Sequence, residues 1–328
     1  METEYIAGLD IGGTKIAAVI AGPHGPLVRV TQPTAKAGSV RALPEQALLM
    51  LDEACLQAGV APDMVKTIGV ASCGPFVRVD EMLALAAPNI CGGLVPTSDL
   101  PNDWKAVPIE QVLRDRFDTV VIDNDCVAAL AAERTFGAVK DERDCVYVTW
   151  STGIGFGLCV DGNILRGKHG NAGHAGHMLM SETSDALCGC GNRGDLEGMI
   201  AGRNISRPLN MRTAELFQAA HDGDPEAYAV TIDAARWLGR ALYNIAATLD
   251  TRMFVVGGSV WMHHGVWLAP AVLQEIESRL PALTDGVKLM PAALGTLVAD
   301  VGALSLVIPH EWVFEWRKTT PWQALATS

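Results

Sequence analysis

Two cysteines one residue apart, Cys188 and Cys190, form the only thiol pair of this 328-residue chain whose spacing suggests chemistry. The other six cysteines (55, 73, 91, 126, 145 and 159) stand mostly alone in apolar segments, where a thiol behaves as a small hydrophobe. A second group consists of glycine turns: Gly12-Gly13-Thr14-Lys15, Ser151-Thr152-Gly153-Ile154-Gly155 and Gly257-Gly258-Ser259. Small residues let main-chain N–H groups approach an anion, and a hydroxyl adds a donor. A tight hairpin alone would also account for each turn. The first two are not P-loops, and neither matches G-x-G-x-x-G ahead of a helix, which disfavours a nicotinamide site. The third group is acidic. Asp123-Asn124-Asp125 ends an apolar run, so Asp125 either faces a ligand or caps the helix that follows. Asp10, beside the first glycine turn, either holds Mg²⁺ through water or bonds the turn's own backbone.

The apolar pattern supplies the elements that must carry these groups. Tyr5 to Ile20 predicts a hairpin, and Pro44 to Gly59 has helical spacing and ends on glycine. Val65 to Ala71 predicts a buried strand running into Cys73-Gly74-Pro75. A loop rich in Pro, Gly and Asn follows from Pro88 to Asp103, then a short helix from Ile109 to Phe117. Strand Thr119 to Ile122 leads to Asp123 and a helix from Cys126 to Phe136. Strand Cys145 to Trp150, a glycine turn and strand Phe156 to Val160 then repeat the design of residues 5 to 20, consistent with two related α/β halves. Ala227 to Asp250 is the clearest helix, feeding strand Met253 to Val256. Pro291 to Val307 reads as a strand edge followed by a helix from about 297. The tail from Pro309, with Trp312, Phe314, Trp316 and Trp322, reads as an arm packed on the body or on a second subunit.

Composition narrows the function. With 49% hydrophobic residues the chain can build cores, and its length predicts two domains. Its 37 acidic against 25 basic side chains give −12, with no basic surface for nucleic acid or anionic lipid. No apolar stretch reaches the roughly 18 residues of a membrane span. The start, Met1-Glu2-Thr3-Glu4-Tyr5, lacks the marks of a secretory signal, so a cytoplasmic protein is expected.

Three glycine turns after buried strands point to a nucleotide held between two domains, the arrangement of the actin, sugar kinase and heat-shock ATPase superfamily. Leu9-Asp10-Ile11-Gly12-Gly13-Thr14-Lys15, Pro88-Asn89, Asn124-Asp125, Ser151 to Gly155, Gly173-x-x-Gly176-His177, Cys188-Gly189-Cys190-Gly191-Asn192-Arg193-Gly194 and Val256-Gly257-Gly258 resemble the ROK family in order and approximate spacing. That family comprises bacterial sugar kinases, repressors and open reading frames. The resemblance runs from about residue 5 to 305, and its C-x-C-G-x-x-G segment is the most specific part. No helix-turn-helix segment precedes Tyr5, so the chain looks like the kinase branch. The implied fold is α/β, a two-domain actin-like (ribonuclease H-like) ATPase of the sugar kinase/hexokinase type. Residues 1–120, joined by a C-terminal helix from about 297–328, would form one domain. Residues 121–296 would form the larger one.

The resemblance also implies roles. ATP with Mg²⁺ would phosphorylate a sugar hydroxyl, most often the 6-position of a hexose. Asp125 would be the general base, with Asp123 the second candidate, and Asn89 and Asn124 would contact the sugar. Asp10, Gly12, Gly13, Thr14 and Lys15 would serve the phosphates together with Ser151, Thr152 and Gly153, and Gly257, Gly258 and Ser259 the nucleoside. His177, Cys188 and Cys190 match three of the family's four zinc ligands, while Asp195 stands where the family has a cysteine. Aspartate can complete a tetrahedral set through oxygen. His174, a water, or no metal at all are the alternatives. Glu197 matches a glutamate suited to a sugar hydroxyl, or acts as a first-turn acid on a helix dipole. The family's glutamate in G-E-x-G-H is replaced by His174, and imidazole offers one donor and one acceptor where carboxylate only accepts. That change favours another hexose, an aminosugar or a cyclitol over plain glucose. A sugar-sensing protein without catalysis is the reading from a different class. Homodimers or homotetramers are the expected assemblies.

Overall fold

Two apolar runs open the chain, and in the computed structural model they are buried strands, β1 (Tyr5–Ile11) and β2 (Lys15–Gly22), paired antiparallel from Ile6↔Ala21 to Ile11↔Ile16. The structure describes residues 5–92, 100–101 and 103–327. A third strand, β3 (Gly25–Pro33), pairs antiparallel with β2. It escapes a hydrophobic reading because it is an edge strand with Pro26 and Pro33 near its ends, Arg29 in its middle and Gln32 beside Pro33. Helix α1 (Ala42–Ala58) buries Leu43, Met50 and Leu51 and stops at Gly59, whose φ of 66° suits glycine.

Strand β4 (Val65–Ser72) lies parallel to β1. A small hairpin, β5 (Phe76–Val79) and β6 (Met82–Leu85), precedes α2 (Pro88–Cys91) and α3 (Ile109–Arg114). The Pro88 to Asp103 loop thus begins with a helical turn, while residues 93–99 and 102 lie outside the described residues. Strand β7 (Thr119–Asn124) lies parallel to β4 and passes directly into α4 (Asp125–Thr135). The sheet order is β3-β2-β1-β4-β7.

A second sheet repeats this plan. Strands β8 (Cys145–Trp150), β9 (Ile154–Val160) and β10 (Asn163–Ile164) form an antiparallel meander. After α5 (Leu196–Ile200), α6 (Thr213–His221) and the long α7 (Pro225–Leu249), β11 (Met253–Gly257) joins β8 in parallel. Helices α8 (Ser259–Glu277) and α9 (Pro281–Thr284) lead to β12 (Lys288–Pro291), parallel to β11. The order β10-β9-β8-β11-β12 matches that of the first sheet, so the repeat seen in the glycine turns extends to strand order. Helix α8 was not expected from the sequence, in which Gly265 and Pro270 interrupt the pattern.

By packing, the chain forms two compact units: Met1–Asp141 with Arg166–Ala172 and Thr296–Ser328, and Glu142–Leu165 with Gly173–Gly295. The first unit extends beyond residue 120 because β7 is hydrogen-bonded into its sheet. Helix α10 (Val298–Ser305) packs on that sheet where glycines leave room: a side chain at Gly69 would meet the Ala303 carbonyl at 2.0 Å. The aromatic tail is a helix, α11 (His310–Thr319), followed by a 3-10 segment. It packs on its own chain: Trp316 is fully buried, its indole N–H donates to the Pro23 carbonyl at 3.0 Å, and Phe136 lies between Trp316 and Trp322. Trp316→Ala should therefore cost about 3–5 kcal/mol in chemical denaturation, from a cavity and an orphaned carbonyl. A loss below about 1 kcal/mol would show that the tail is only loosely attached. Among the described residues no helix is long and apolar enough to cross a membrane.

Candidate functional site

Three parallel strands of the first unit end in register, Ile11 opposite Ser72 and Ser72 opposite Asn124. Their carboxyl ends therefore align Gly12, Cys73 and Asp125 in one row, and ligands of open α/β sheets bind beyond such ends. In the first turn Gly12 N–H donates to the Lys15 carbonyl at 2.9 Å, and the Thr34 hydroxyl donates to the Gly12 carbonyl at 2.7 Å. This leaves Thr14 and Lys15 exposed at the tip. Gly13 is needed for close approach, since a Cβ there would lie 2.9 Å from both Asn89 Nδ2 and the Asn89 carbonyl. Asn89 thus packs on the glycine turn, and its Oδ1 accepts from the Cys73 thiol at 3.3 Å.

Acids crowd this end of the sheet. Asp300, on α10, is buried; one oxygen accepts from Arg29 Nε at 3.0 Å and the other, Oδ2, is buried with no hydrogen-bond partner among the described residues. Burial, with Asp300 and Asp125 nearby, pushes the Asp10 carboxyl up to about 7 against the pull of Lys15 and Arg29. An excess of buried negative charge with an unsatisfied oxygen is the chemistry of a cation site. The shift also carries a stability sign. Folded Asp10 keeps its proton up to about pH 7, whereas the unfolded side chain loses it near 3.8, so stability falls as pH rises between those values. Without added magnesium, Asp10→Asn should raise the melting temperature more at pH 8 than at pH 5. Equal gains at both pH values would mean that the carboxyl does not titrate there.

The Asp123-Asn124-Asp125 triplet divides its labour. Both Asp123 oxygens accept from Arg166, at 2.8 to 3.0 Å, and Asp123 is 3% exposed. Its carboxyl nevertheless sits above the usual range, because burial outweighs Arg166. Asn124, extended at φ −60° and ψ 146°, caps α4 by accepting from Cys126 N–H at 2.9 Å. Asp125 stands in the first turn, half-buried, with Oδ1 2.8 Å from the same N–H. The helix cap is therefore Asn124, and Asp125 stands at the head of the first turn, at the end of the row.

In the second unit the remaining glycine turns meet. Gly258, at φ 87°, leads β11 into α8 and lies so close to Trp150 that a Cβ would come within 2.5 Å of its carbonyl. Trp150 is the residue before Ser151. The Ser151 turn is fastened by Gly202 N–H on the Ser151 carbonyl at 2.7 Å and Ser151 N–H on the Gly153 carbonyl at 3.0 Å, leaving Thr152 exposed. Glu197 braces it: Oε2 accepts from Ile154 N–H at 3.1 Å and fills the space a Cβ on Gly153 would need. Its Oε1 accepts from Arg203 at 2.7 Å and lies 3.4 Å from the Cys188 thiol. Leu196 and Ser259 begin the helices on either side.

Glycines also set the histidines. A Cβ at Gly173 would meet the Phe156 carbonyl at 2.3 Å and one at Gly176 the Ile154 carbonyl at 2.2 Å, so the 3-10 turn Ala175–His177 lies flush on β9. The His174 and His177 rings are then roughly parallel, with centroids 6.2 Å apart. His177 Nδ1 lies 3.1 Å from Asp195 Oδ2, 3.7 Å from Cys188 Sγ and 3.6 Å from Cys190 Sγ, and Cys190 Sγ lies 3.6 Å from Asp195 Oδ2. A tetrahedral zinc ion with ordinary bond lengths would space such ligands about 3.3 Å (N to O) and about 3.5 Å (S to N or O) apart. These four pairs match that spacing, and all four donors lie within 4.8 Å of one another. Asp195 is fully buried and uses both oxygens: Oδ2 in the cluster, Oδ1 accepting from Gly198 N–H at 2.7 Å as the cap of α5. Burial opposes its ionisation, but the bonds from His177 and Gly198 win and hold the carboxyl below its usual range.

Cys73, Arg203, Arg166 and Asp300 were missed by the sequence reading. Only Cys73 left a signal, because it follows a buried strand as Gly12 and Asp125 do. The other three act through partners 6 to 271 residues away in sequence.

Known proteins resemble this chain in sequence and in fold. The chain is 34% identical over 265 residues to an N-acetylmannosamine kinase of Escherichia fergusonii, covering 78% of this chain and 84% of that one. It is 30% identical over 280 residues to a glucokinase of Streptomyces coelicolor, covering 77% and 81%. The crystal structure of a ROK hexokinase from Thermus thermophilus superposes with a TM-score of 0.75 at 31% identity, covering 92% of this chain and 97% of that one. The fold is the α/β fold of the actin-like ATPases in its sugar-kinase form. With the family's own sequence model matching residues 6–310, the chain belongs to the ROK family.

Proposed function

We propose that the protein is an ATP-dependent sugar kinase that transfers the γ-phosphoryl group to a hydroxyl, the 6-OH of a hexose or a related sugar. The observation that carries this reading is the row of strand ends, in which Gly12, Cys73 and Asp125 align while Asn89 packs on the first turn. Phosphoryl transfer asks mainly for positioning and charge neutralisation, with one group to take the hydroxyl proton. Asp125 accepts that proton as the sugar oxygen attacks phosphorus and ADP leaves, then releases it to solvent. Asn89 holds a sugar hydroxyl. Asn124 serves the sugar through the helix cap that sets Asp125. Main-chain donors of Gly13, Thr152 and Gly153, with the Thr14 hydroxyl and Lys15, receive phosphate oxygens, while Gly12 and Ser151, whose N–H groups close the two turns, shape the cradle. Gly257, Gly258 and Ser259, at the start of the 19-residue α8, receive the nucleoside side of ATP. Mg²⁺, held through water by Asp10, would neutralise phosphate charge.

Zinc fits His177, Cys188, Cys190 and Asp195 and would be structural, fixing the 178–196 loop and the ring of His177. Glu197 and His177 are then on the sugar side of that loop. His174, in place of an acidic residue, turns selectivity away from plain glucose towards an N-acylated aminosugar, another hexose or a cyclitol. The higher identity to an N-acetylmannosamine kinase than to a glucokinase supports the first. The working form is a homodimer or homotetramer.

Coupled ADP release across a panel of hexoses, aminosugars and cyclitols tests this reading. Turnover of one narrow sugar class is expected. Sugar binding in calorimetry without turnover of any member would replace the kinase with a sugar sensor.

A further inference from the structure

Of the groups left outside this account, Cys73 is the one aimed at the same row of strand ends. It follows β4 between Gly12 and Asp125, partly accessible, and its Sγ lies 3.3 Å from Asn89 Oδ1 and 3.7 Å from the Ile11 carbonyl. A thiol carries one hydrogen, and the shorter contact is to Asn89. Asn89 is itself exposed, on the short α2 that glycine at position 13 lets approach the phosphate turn. Its amide would otherwise have two orientations of similar energy, one presenting N–H donors outward and one presenting a carbonyl.

We infer that Cys73 is a positioning residue for sugar recognition: by donating to Asn89 Oδ1, it fixes that amide with its NH₂ group available to the substrate. The inference rests on the sugar-kinase reading, and it assigns Asn89 a donor role, complementary to Asp125, which accepts. Burial first, and the Asp125 and Asp10 carboxylates besides, push the Cys73 thiol well above its usual range. The sulfur therefore stays protonated at neutral pH and keeps its donor. A neutral, protonated thiol is also a poor nucleophile, which suits an orienting group better than a reactive one.

A double-mutant cycle tests this, with sugar Kd from calorimetry and ADP release recorded on the same samples, using glucose and N-acetylmannosamine as probes. Cys73→Ala should weaken binding of the preferred sugar about three- to tenfold, the value of one hydrogen bond, with kcat changed less than about twofold. Cys73→Ser, which keeps a donor, should recover most of that loss. In an Asn89→Ala background, Cys73→Ala should add nothing further. A Cys73→Ala loss that persists in that background, a serine variant no better than alanine, or an unchanged Kd would each overturn the inference. A wild type that binds sugar but releases no ADP overturns the kinase reading and leaves the cycle decisive. A wild type that binds no member of the hexose, aminosugar and cyclitol panel overturns both.

Discussion

Asp125→Asn should lower kcat about a thousandfold while leaving the sugar Kd within about threefold. Removing a positioned general base costs about 10²–10⁴ in rate, and a thousandfold is the middle of that range. Asp123 cannot substitute, since both its oxygens are held by Arg166 and it is 3% exposed. The substitution is structurally quiet. Asn124 carries the cap of α4, and an asparagine oxygen at 125 can still approach the Cys126 amide. A fall in turnover with intact sugar binding then reports chemistry and not folding. Turnover within tenfold of wild type would remove Asp125 from the role of base. Asp123→Asn offers the contrast: it weakens the Arg166 pair, so its first effect should be on stability.

The division between Asp123 and Asp125 shows what a sequence carries and what it does not. Strands, glycine turns and the start of α4 follow from local rules, because a buried strand needs a continuous apolar run and a turn at positive φ needs glycine, as Gly258 does at 87°. Which of two neighbouring aspartates is tied to an arginine depends on Arg166, 43 residues on, and no periodicity announces that pair. The same holds for Glu197. Its sequence context suggests a sugar contact or a helix-dipole acid, and the fold adds a third task that context does not announce, as its carboxylate meets the Ile154 amide and Arg203 and braces the Ser151 turn. Strand β3 was illegible for a different reason: edge strands tolerate proline and polar residues, so the apolar run that marks β1 and β2 is absent. The aromatic tail was legible as apolar and packed, but its helical form depends on tertiary burial of Trp312 and Trp316. Asp195 was read as a ligand. Its second task, capping α5, was not.

That double task makes Asp195 the position where metal and fold can be separated. Elemental analysis of the wild type should find about one zinc per chain. Asp195→Asn keeps an oxygen for the Gly198 amide but removes the anionic ligand, so zinc should fall below about a tenth of an equivalent while the α5 cap persists. Asp195→Cys should do the reverse, since a thiolate restores a closed His and three-sulfur set while loss of the cap costs about 1 kcal/mol. The consequence of metal loss should be large. Structural zinc contributes its binding free energy to folding, about 10 kcal/mol or more in small zinc peptides, and here it would tie residues 177, 188, 190 and 195 around one point. Chelator treatment of the wild type should therefore lower the melting transition by about 10 °C or more, an effect that Asp195→Asn reproduces without chelator and to which it adds little with chelator. If Asp195→Asn retains a full equivalent of zinc, the fourth ligand is His174 or water. If the wild type carries none, the cluster is held by hydrogen bonds centred on His177 Nδ1 and Asp195 Oδ2, and Asp195→Cys should then be the more damaging substitution.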